Sequence, residues 1–243
     1  MSIFNEKVVI ITGATKGIGL ELATKLSNKG AKLSLCGRNT SVISDLFDDD
    51  IFIKNCDVSK HEQIKEFIDD TKTKFGKIDI IINNSALGVF NKIEEITITD
   101  WTNVINTNLN GIFYMCHEVI PIIKNNINMP KGYILNVGSI SHNYVVNQSS
   151  VYSSSKAALK SFSDHLYNEL RLENILVSYV ASGSVNTNFS KRTPDLTNWK
   201  INASDISDII LSVIETGYKY PQCCINYLEV KTNTPIKTET LKE

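Results

Sequence analysis

The chain has 243 residues, 42% of them hydrophobic and 21% charged. This length and the lack of a Pro/Gly/Ser-rich linker favour one domain over residues 1–243. The formal net charge is −1 and the cations are scattered, which argues against a nucleic-acid partner and against binding to an anionic membrane. No apolar stretch approaches the roughly 20 residues of a membrane span, and no secretory signal is visible, so we expect a cytoplasmic protein.

Short β-branched runs alternate along the chain with longer segments of helical period, which predicts βαβ units. The predicted strands are Val8–Ile11, Lys32–Cys36, Ile51–Lys54, Ile78–Ile82, Tyr133–Val137, Leu176–Ala181 and Cys224–Val230. The predicted helices are Ile18–Asn28, Lys60–Lys74, Asp100–Asn125, Val151–Glu173 and Ser204–Thr216, with a weaker one at Ser41–Phe47. We therefore expect an α/β fold: a doubly wound, mostly parallel seven-stranded sheet with helices on both faces, Rossmann-like.

Local signals accompany these elements. Ser59 and Glu62 have capping-box spacing, and Gly30 and Gly76 stand where helix C-caps belong. The cysteines lack metal-site spacing and mostly lie in apolar runs, so we expect reduced core thiols and no metal site. They are Cys36, Cys56, Cys116, Cys223 and Cys224.

A glycine-rich turn follows the first strand and opens the first helix. Such spacing permits a tight turn, close approach of backbone to a pyrophosphate and tight packing of helix on strand. The helix N-terminus adds amide donors for phosphate. The context predicts a dinucleotide site rather than a turn kept for packing alone. Its predicted residues are Thr12, Gly13, Thr15, Lys16, Gly17, Ile18 and Gly19.

The second strand ends in Cys36-Gly37-Arg38-Asn39, without the acidic residue that usually bonds the ribose of NAD. The guanidinium of Arg38 suits a phosphate, and Lys16 offers a second cation. We therefore predict NADP(H) rather than NAD(H), with Arg38 and Asn39 in the site. The alternative is that both cations are solvated surface residues.

Tyr152 and Lys156 are four positions apart on a predicted helix and so share one face. An ammonium, helped by the positive charge of an oxidised nicotinamide, would lower the pKa of the phenol toward neutrality. Ser139 follows a strand 13 positions before Tyr152 and would bond the substrate oxygen while Tyr152 passes it a proton. The constellation predicts an oxidoreductase acting on a small carbonyl or hydroxyl substrate.

Together these motifs resemble the short-chain dehydrogenases/reductases, in their shorter single-domain branch. The resemblance covers nearly the whole chain. It rests on the glycine turn, Asp57-Val58, Asn83-Asn84-Ser85-Ala86, Asn108, Ser139 and Tyr152-x-x-x-Lys156, in the family's order and approximate spacing.

The resemblance implies a role for each matching residue. Tyr152 would be the catalytic acid or base, Ser139 would orient the carbonyl, and Lys156 would bond the nicotinamide ribose and lower the pKa of Tyr152. Asn108 would hold a water that connects Lys156 to solvent. Asp57 and Val58 would contact adenine, Asn84, Ser85 and Ala86 the ribose, and Gly183, Val185 and Thr187 the nicotinamide end. From the residues alone, Asn108 would instead kink a helix and Asp57 would be a strand-end or N-cap acid.

Two positions depart from the family pattern: Ser85-Ala86 replaces Ala-Gly, and Ser182 stands where proline is usual. We expect Ala86 to crowd backbone near the cofactor and Ser182 to loosen the turn before Gly183. The short segment at about 187–203 predicts a small or open-ended substrate site with a short lid. Its candidate walls are Leu87, Val89, His142, Tyr144, Ser184 and Phe189; His142 is otherwise a solvated loop histidine.

Two other functions remain open: a non-catalytic regulator that senses NADP(H), and a sugar-nucleotide epimerase, which generally needs a larger C-terminal substrate region. The family also implies a homotetramer or homodimer, in which Asp100–Asn125 and Val151–Glu173 pair across two-fold axes.

Overall fold

The computed structural model describes residues 2–48, 50–189 and 199–233. Its strands are β1 (Val8–Thr12), β2 (Lys32–Gly37), β3 (Phe52–Asn55), β4 (Ile80–Asn83), β5 (Gly132–Ser139), β6 (Ile175–Ser182), β7 (Val185–Asn186), β8 (Ile201–Asn202) and β9 (Tyr227–Val230). Its α-helices are α1 (Gly17–Asn28), α2 (His61–Phe75), α3 (Ile98–Ile105), α4 (Gly111–Lys124), α5 (Ser150–Leu170) and α6 (Ala203–Lys219).

Seven strands form one sheet in the order β3-β2-β1-β4-β5-β6-β9, and every neighbouring pair is parallel. The predicted fold class is therefore confirmed. β7 and β8 form a separate short parallel pair. Strand order reverses between β1 and β4, and in such a sheet ligands bind in the crevice beyond the carboxyl ends of the strands.

The sheet has a core on each face because successive side chains of a strand point in opposite directions. In β1, Val9 and Ile11 pack in the core that includes α1 and α6. Ile10 packs in the opposite core, with α2, α4 and α5. All five β1 residues are buried, as expected for a strand covered on both faces.

The predicted helix Asp100–Asn125 is wrong as one continuous element. It is divided into α3 and α4 by a π-helical segment at Asn106–Asn110. α3 also begins before the predicted start, because Thr97 and Asp100 form a capping box. The weaker predicted helix at Ser41–Phe47 is reduced to one 3-10 turn at Ser44–Leu46.

The predicted capping box at Ser59 and Glu62 is also wrong. α2 begins at His61, two residues after Ser59, with Lys60 as its N-cap and no side-chain cap, and the Ser59 N–H donates to Asp57 Oδ1 at 3.0 Å. Gly76 does cap α2 in the left-handed region, with φ 76°. Gly30, with φ 79°, follows the C-cap Lys29 of α1.

Two further predictions need correction near the C-terminus. The last strand begins at Tyr227 rather than Cys224. Cys223 is exposed and Cys224 only half-buried, whereas Cys36, Cys56 and Cys116 are buried as expected.

In the part of the chain that the structure describes, every helix is too short or too polar to cross a membrane. The single-domain organisation and the cytoplasmic location stay predictions.

Candidate active site

A cavity of about 390 Å³ opens at the carboxyl ends of the sheet strands. Its walls come from the glycine turn, the ends of β2 and β3, the loops after β4, β5 and β6, and the first turns of α5. Most predicted site residues lie there together: Gly13, Thr15, Lys16, Gly17, Ile18, Arg38, Asp57, Val58, Asn84, Ser85, Ala86, Ser139, Tyr152, Lys156, Gly183, Ser184, Val185, Thr187 and Phe189.

The glycine turn is shaped by space as well as by backbone conformation. Gly13 and Gly17 have φ of 64° and 55°, a region that side chains rarely adopt. A Cβ on Gly19 would lie 2.3 Å from the carbonyl oxygen of Gly13, so α1 packs closely under the turn. A Cβ on Gly17 would lie 3.0 Å from Cγ2 of Thr187, which brings the turn against the loop after β6. The turn therefore leaves its backbone accessible at the N-terminus of α1, where amide groups favour an anion.

Thr12 and Gly19, which were predicted to belong to the cofactor site, do not line the cavity. Thr12 Oγ1 accepts hydrogen bonds from the backbone N–H of Asn84 at 3.0 Å and of Ser85 at 2.9 Å. Asn84 Nδ2 donates in return to the carbonyl oxygens of Thr12 and Gly13. These bonds cross the point where strand order reverses, so Thr12 positions the loop after β4.

We expect Thr12→Val to lower the free energy of unfolding by about 1–2 kcal/mol, because two partly buried N–H groups lose their acceptor while the side-chain shape is kept. Urea unfolding monitored by circular dichroism measures this change. Thr24→Val is the matched control, since Thr24 Oγ1 bonds only its own helix at an exposed position. Equal losses of unfolding free energy in the two variants would contradict the role of Thr12 in positioning the loop after β4.

Arg38 and Lys16 both lie on the cavity wall and are exposed. No salt bridge involves either side chain within residues 2–48, 50–189 and 199–233. Asn39 departs from the prediction, because it lies off the cavity wall and its Oδ1 accepts hydrogen bonds from the backbone N–H and hydroxyl of Ser41. The two predicted cations, Arg38 and Lys16, thus lie on the cavity wall, whereas the Asn39 side chain stabilises the loop that contains it.

Ser139, Tyr152 and Lys156 meet on one wall of the cavity. The Lys156 Nζ is buried, donates to the carbonyl oxygen of Val137 at 3.0 Å and lies 5.8 Å from the Tyr152 ring centroid. Ser139 Oγ accepts a hydrogen bond from Ser141 Oγ at 2.9 Å. The side chains of Ser139 and Tyr152 also hydrogen-bond to each other.

The expectation that Lys156 lowers the pKa of Tyr152 is not met in this structure. Removal from water raises the pKa of Tyr152 to about 12, and the hydrogen bond with Ser139 only partly opposes this effect. Burial also lowers the pKa of Lys156 to about 8. Each shift favours the neutral form, which is what desolvation dictates. Tyr152 therefore keeps its phenolic proton at neutral pH in this structure.

Asn108 is fully buried in the π-helical segment and is not on the cavity wall. Its Oδ1 accepts from the N–H of Leu87 at 2.7 Å, and its Nδ2 donates to the carbonyl oxygen of Leu87 at 2.8 Å and to Ser155 Oγ at 3.0 Å. The side chain thus ties the loop after β4 to α5. The helix irregularity expected from the residue alone is observed, and the proton relay stays a prediction.

His142 and Tyr144, two predicted substrate residues, lie outside the cavity, as does Val89. His142 Nδ1 is 2.7 Å from the carbonyl oxygen of Ser139, and its ring edge packs on Tyr179. Tyr144 donates to Glu229 Oε1 at 3.2 Å. The predicted lid at about 187–203 falls mostly on residues 190–198, outside the described residues.

Ser182 does not loosen the turn before Gly183 as expected. Ser182 remains in β6 opposite Val230, and the N–H of Gly183 donates to the carbonyl oxygen of Val230 at 2.7 Å. The turn is therefore held by the sheet rather than loosened. Ala86 lies on the cavity wall, and the crowding expected of it near the cofactor stays a prediction.

Several wall residues were not foreseen: Gly37, Cys56, Phe90, Thr107, Ser141, Val146, Ser149 and Lys200. Phe90 packs 5.4 Å from the Tyr152 ring and Phe189 packs 5.6 Å from it, centroid to centroid. No periodic pattern marks Phe90, because it lies in a loop. Cys56 directly follows β3, whose residues are partly buried or exposed, and no sequence pattern marks it as a cavity residue.

Comparisons with known proteins agree with this architecture. The short-chain dehydrogenase family model matches residues 7–197, and the chain belongs to this oxidoreductase family. An uncharacterised oxidoreductase of Staphylococcus saprophyticus is 32% identical over 217 residues, covering 86% of this chain and 92% of that protein. An uncharacterised oxidoreductase of Staphylococcus aureus is 30% identical over 215 residues, covering 87% and 92%.

Two solved structures have a similar fold. An alcohol dehydrogenase from Thermococcus sibiricus, complexed with 5-hydroxy-NADP, superposes with a TM-score of 0.84 at 23% identity, over 96% of this chain and all of that chain. A serine dehydrogenase complexed with NADP+ superposes with a TM-score of 0.83 at 26% identity, over 91% and 93%.

Proposed function

We propose that the protein is an NADP(H)-dependent carbonyl reductase or alcohol dehydrogenase for small substrates, with Tyr152 as the proton donor or acceptor. The observation that carries the proposal is the meeting of Ser139, Tyr152 and Lys156 on one wall of a cavity whose other end is the glycine turn. A reacting carbonyl oxygen at this wall would meet two hydroxyl groups. This arrangement suits proton transfer to oxygen.

The residues around the cavity fit a nicotinamide dinucleotide. The glycine turn leaves space that a Cβ at Gly13 would take up, since such an atom would lie 3.1 Å from the Cα of Ser85. The N-terminus of α1 offers amide groups to a diphosphate. When bound, the cofactor supplies the hydride. Proteins of similar fold were solved with NADP, NADH or NAD, and they support a nicotinamide dinucleotide in this site.

Each catalytic side chain has a defined task in the proposed reduction. Tyr152, with its pKa raised to about 12, keeps its proton at neutral pH until an alkoxide forms beside it. Ser139 Oγ accepts from Ser141 and so directs its own proton away from that neighbour, toward Tyr152 or the substrate oxygen. Lys156 is held by Val137 on the buried side of the phenol. The wall formed by Phe90 and Phe189 excludes water and favours an apolar group beside the carbonyl.

The test is a panel of small ketones, aldehydes and diketones, with NADPH absorbance as the readout. We expect carbonyl-dependent consumption of NADPH by at least one class. Tight NADPH binding with no turnover on any carbonyl or alcohol would overturn the proposal in favour of the cofactor-sensing regulator. The described residues offer no specific support for the epimerase.

Arg38 and Lys16 support a preference for NADP(H). We expect Arg38→Ala to raise KM for NADPH about 10- to 150-fold and to leave KM for NADH unchanged, because a charge-assisted contact to the 2′-phosphate is worth about 1.5–3 kcal/mol. Initial rates with each cofactor measure the effect. Arg171→Ala is the matched control, since Arg171 is exposed and is not on the cavity wall. Parallel changes for both cofactors would contradict the preference.

We also propose a homodimer or homotetramer, as the family suggests. Phe113 on α4 is 49% exposed and Trp101 on α3 is 44% exposed. These large apolar side chains support burial against a second copy. Sedimentation of the purified chain measures its mass, and a monomer at micromolar concentration would contradict this assembly.

A further inference from the structure

Tyr179 lies directly beneath the catalytic wall and belongs to no predicted motif. It is a residue of β6, and its side chain is fully buried. Its ring meets the edge of His142 at 5.4 Å and stacks on Tyr227 at 6.3 Å, centroid to centroid. These contacts hold the ring plane, so the position of the hydroxyl is set from several sides.

The Tyr179 hydroxyl joins the two elements that carry the catalytic groups. It accepts a hydrogen bond from the backbone N–H of Ser139 at 3.3 Å, at the end of β5. It also lies 3.3 Å from the carbonyl oxygen of Lys156 in α5 and 3.4 Å from that of Ser139. A phenol has one proton, so it donates to one carbonyl at a time. Either bond restrains the backbone of a catalytic residue.

The position of the ring requires a glycine at 138. A Cβ on Gly138 would lie 2.0 Å from Cζ and 2.4 Å from Oη of Tyr179, far inside contact distance. The φ of Gly138 is not positive, so the need is for space and not for an unusual backbone conformation. The missing side chain at 138 and the large ring at 179 therefore form a complementary pair beside Ser139.

We propose that Tyr179 is a positioning residue for the reaction, fixing the backbones of Ser139 and Lys156 through its hydroxyl, with Gly138 providing the space for it. The inference rests on the proposed function of this site. Burial raises the pKa of Tyr179 well above its ordinary value, so the hydroxyl stays neutral and acts as donor and acceptor at once.

The kinetic test is Tyr179→Phe, which keeps the ring and removes the hydroxyl. We expect kcat to fall about tenfold while the Kd for NADPH changes less than twofold, because the hydrogen bond accepted from Ser139 and the one donated to a backbone carbonyl are both lost and the cofactor pocket is untouched. Tyr133→Phe is the matched control. Tyr133 is also a fully buried tyrosine, bonded to Ser178 Oγ at 2.6 Å, but it packs on the opposite face of the sheet, against α6.

If the Tyr179 hydroxyl only stabilised the fold, Tyr179→Phe and Tyr133→Phe would lower Tm to a similar degree, and kcat would equal that of the wild type in both variants. That result would overturn the proposal. A second readout does not depend on turnover: amide hydrogen exchange at Ser139, followed by two-dimensional NMR. We expect exchange about tenfold faster in Tyr179→Phe and unchanged in Tyr133→Phe. If no carbonyl is reduced by the wild type, the proposed function fails, and unchanged exchange at Ser139 separately overturns the positioning role.

The close packing of the Tyr179 ring against Gly138 has its own test. Gly138→Ala alone should lower Tm by about 6 °C, because the methyl group overlaps the Tyr179 ring. In a Tyr179→Ala background the same change should lower Tm by no more than 1 °C, since the space is then empty. Additive losses in the double variant would show that Gly138 does not accommodate this ring, and would overturn that part of the proposal.

Discussion

Replacing Tyr152 with phenylalanine is expected to lower kcat for carbonyl reduction about 1000-fold, within the range of general acid catalysis. The change removes the only atom that distinguishes the two rings, the phenolic oxygen. The ring contacts with Phe90 and Phe189, at 5.4 and 5.6 Å, do not need that oxygen. Binding of NADPH, measured by its fluorescence, should therefore change less than threefold.

Tyr220→Phe serves as the control for this experiment, because Tyr220 is half-exposed at the end of α6 and is not on the cavity wall. Its kcat should equal that of the wild type. If Tyr152→Phe kept full activity, another group would have to protonate the alkoxide. If it lost NADPH binding as well, the loss of turnover would say nothing about proton transfer.

The second large effect concerns Lys156, whose role in the site opposes the stability of the fold. Lys156→Met should abolish most turnover and still raise the free energy of unfolding at pH 7 by about 2 kcal/mol. The pKa of the buried ammonium falls from 10.5 to about 8, which corresponds to roughly 3 kcal/mol of unfavourable burial. About 1 kcal/mol is subtracted for the hydrogen bond to Val137 that methionine cannot make.

The pH dependence follows from the same shift. Between pH 8 and 10.5 the unfolded chain still holds the proton that the folded protein has lost, so this group makes the wild type more stable as pH rises. Below pH 8 both states are protonated and the full cost of burial is present. The advantage of Lys156→Met should therefore be constant below about pH 8, reach zero near about pH 9.5 and become a disadvantage of about 1 kcal/mol by about pH 10.5, where only the lost hydrogen bond to Val137 remains.

Urea unfolding at a series of pH values measures this advantage. Lys160→Met is the control on the same helix, since Lys160 is partly exposed and paired with Asp164 at 2.6 Å. It should be slightly less stable than the wild type at every pH in this range. A Lys156→Met variant less stable than the wild type at pH 7, or with a difference that does not vary with pH, would contradict the cost of burying this ammonium.

The centre of the sheet could be predicted from the chain because β1, β4, β5 and β6 are buried on both faces and read as nearly continuous apolar runs. The residues at which the helices begin and end could be predicted less well. The π-helical segment at Asn106–Asn110 depends on the hydrogen bonds of Asn108 to Leu87, which lies 21 positions away. Nothing local at Asn108 reveals that partner. The same holds for Thr12, whose acceptor role depends on a loop more than 70 positions downstream.

Local residue order by itself determined the fold class, the glycine turn and the common helix face of Tyr152 and Lys156, because these depend on spacing within one or two elements. Tertiary structure alone decided the pKa shifts of Tyr152 and Lys156, the exclusion of His142 and Tyr144 from the cavity, and the place of Tyr179 under Ser139. Desolvation and long-range hydrogen bonds depend on what the folded chain brings around a group, and those neighbours come from distant strands.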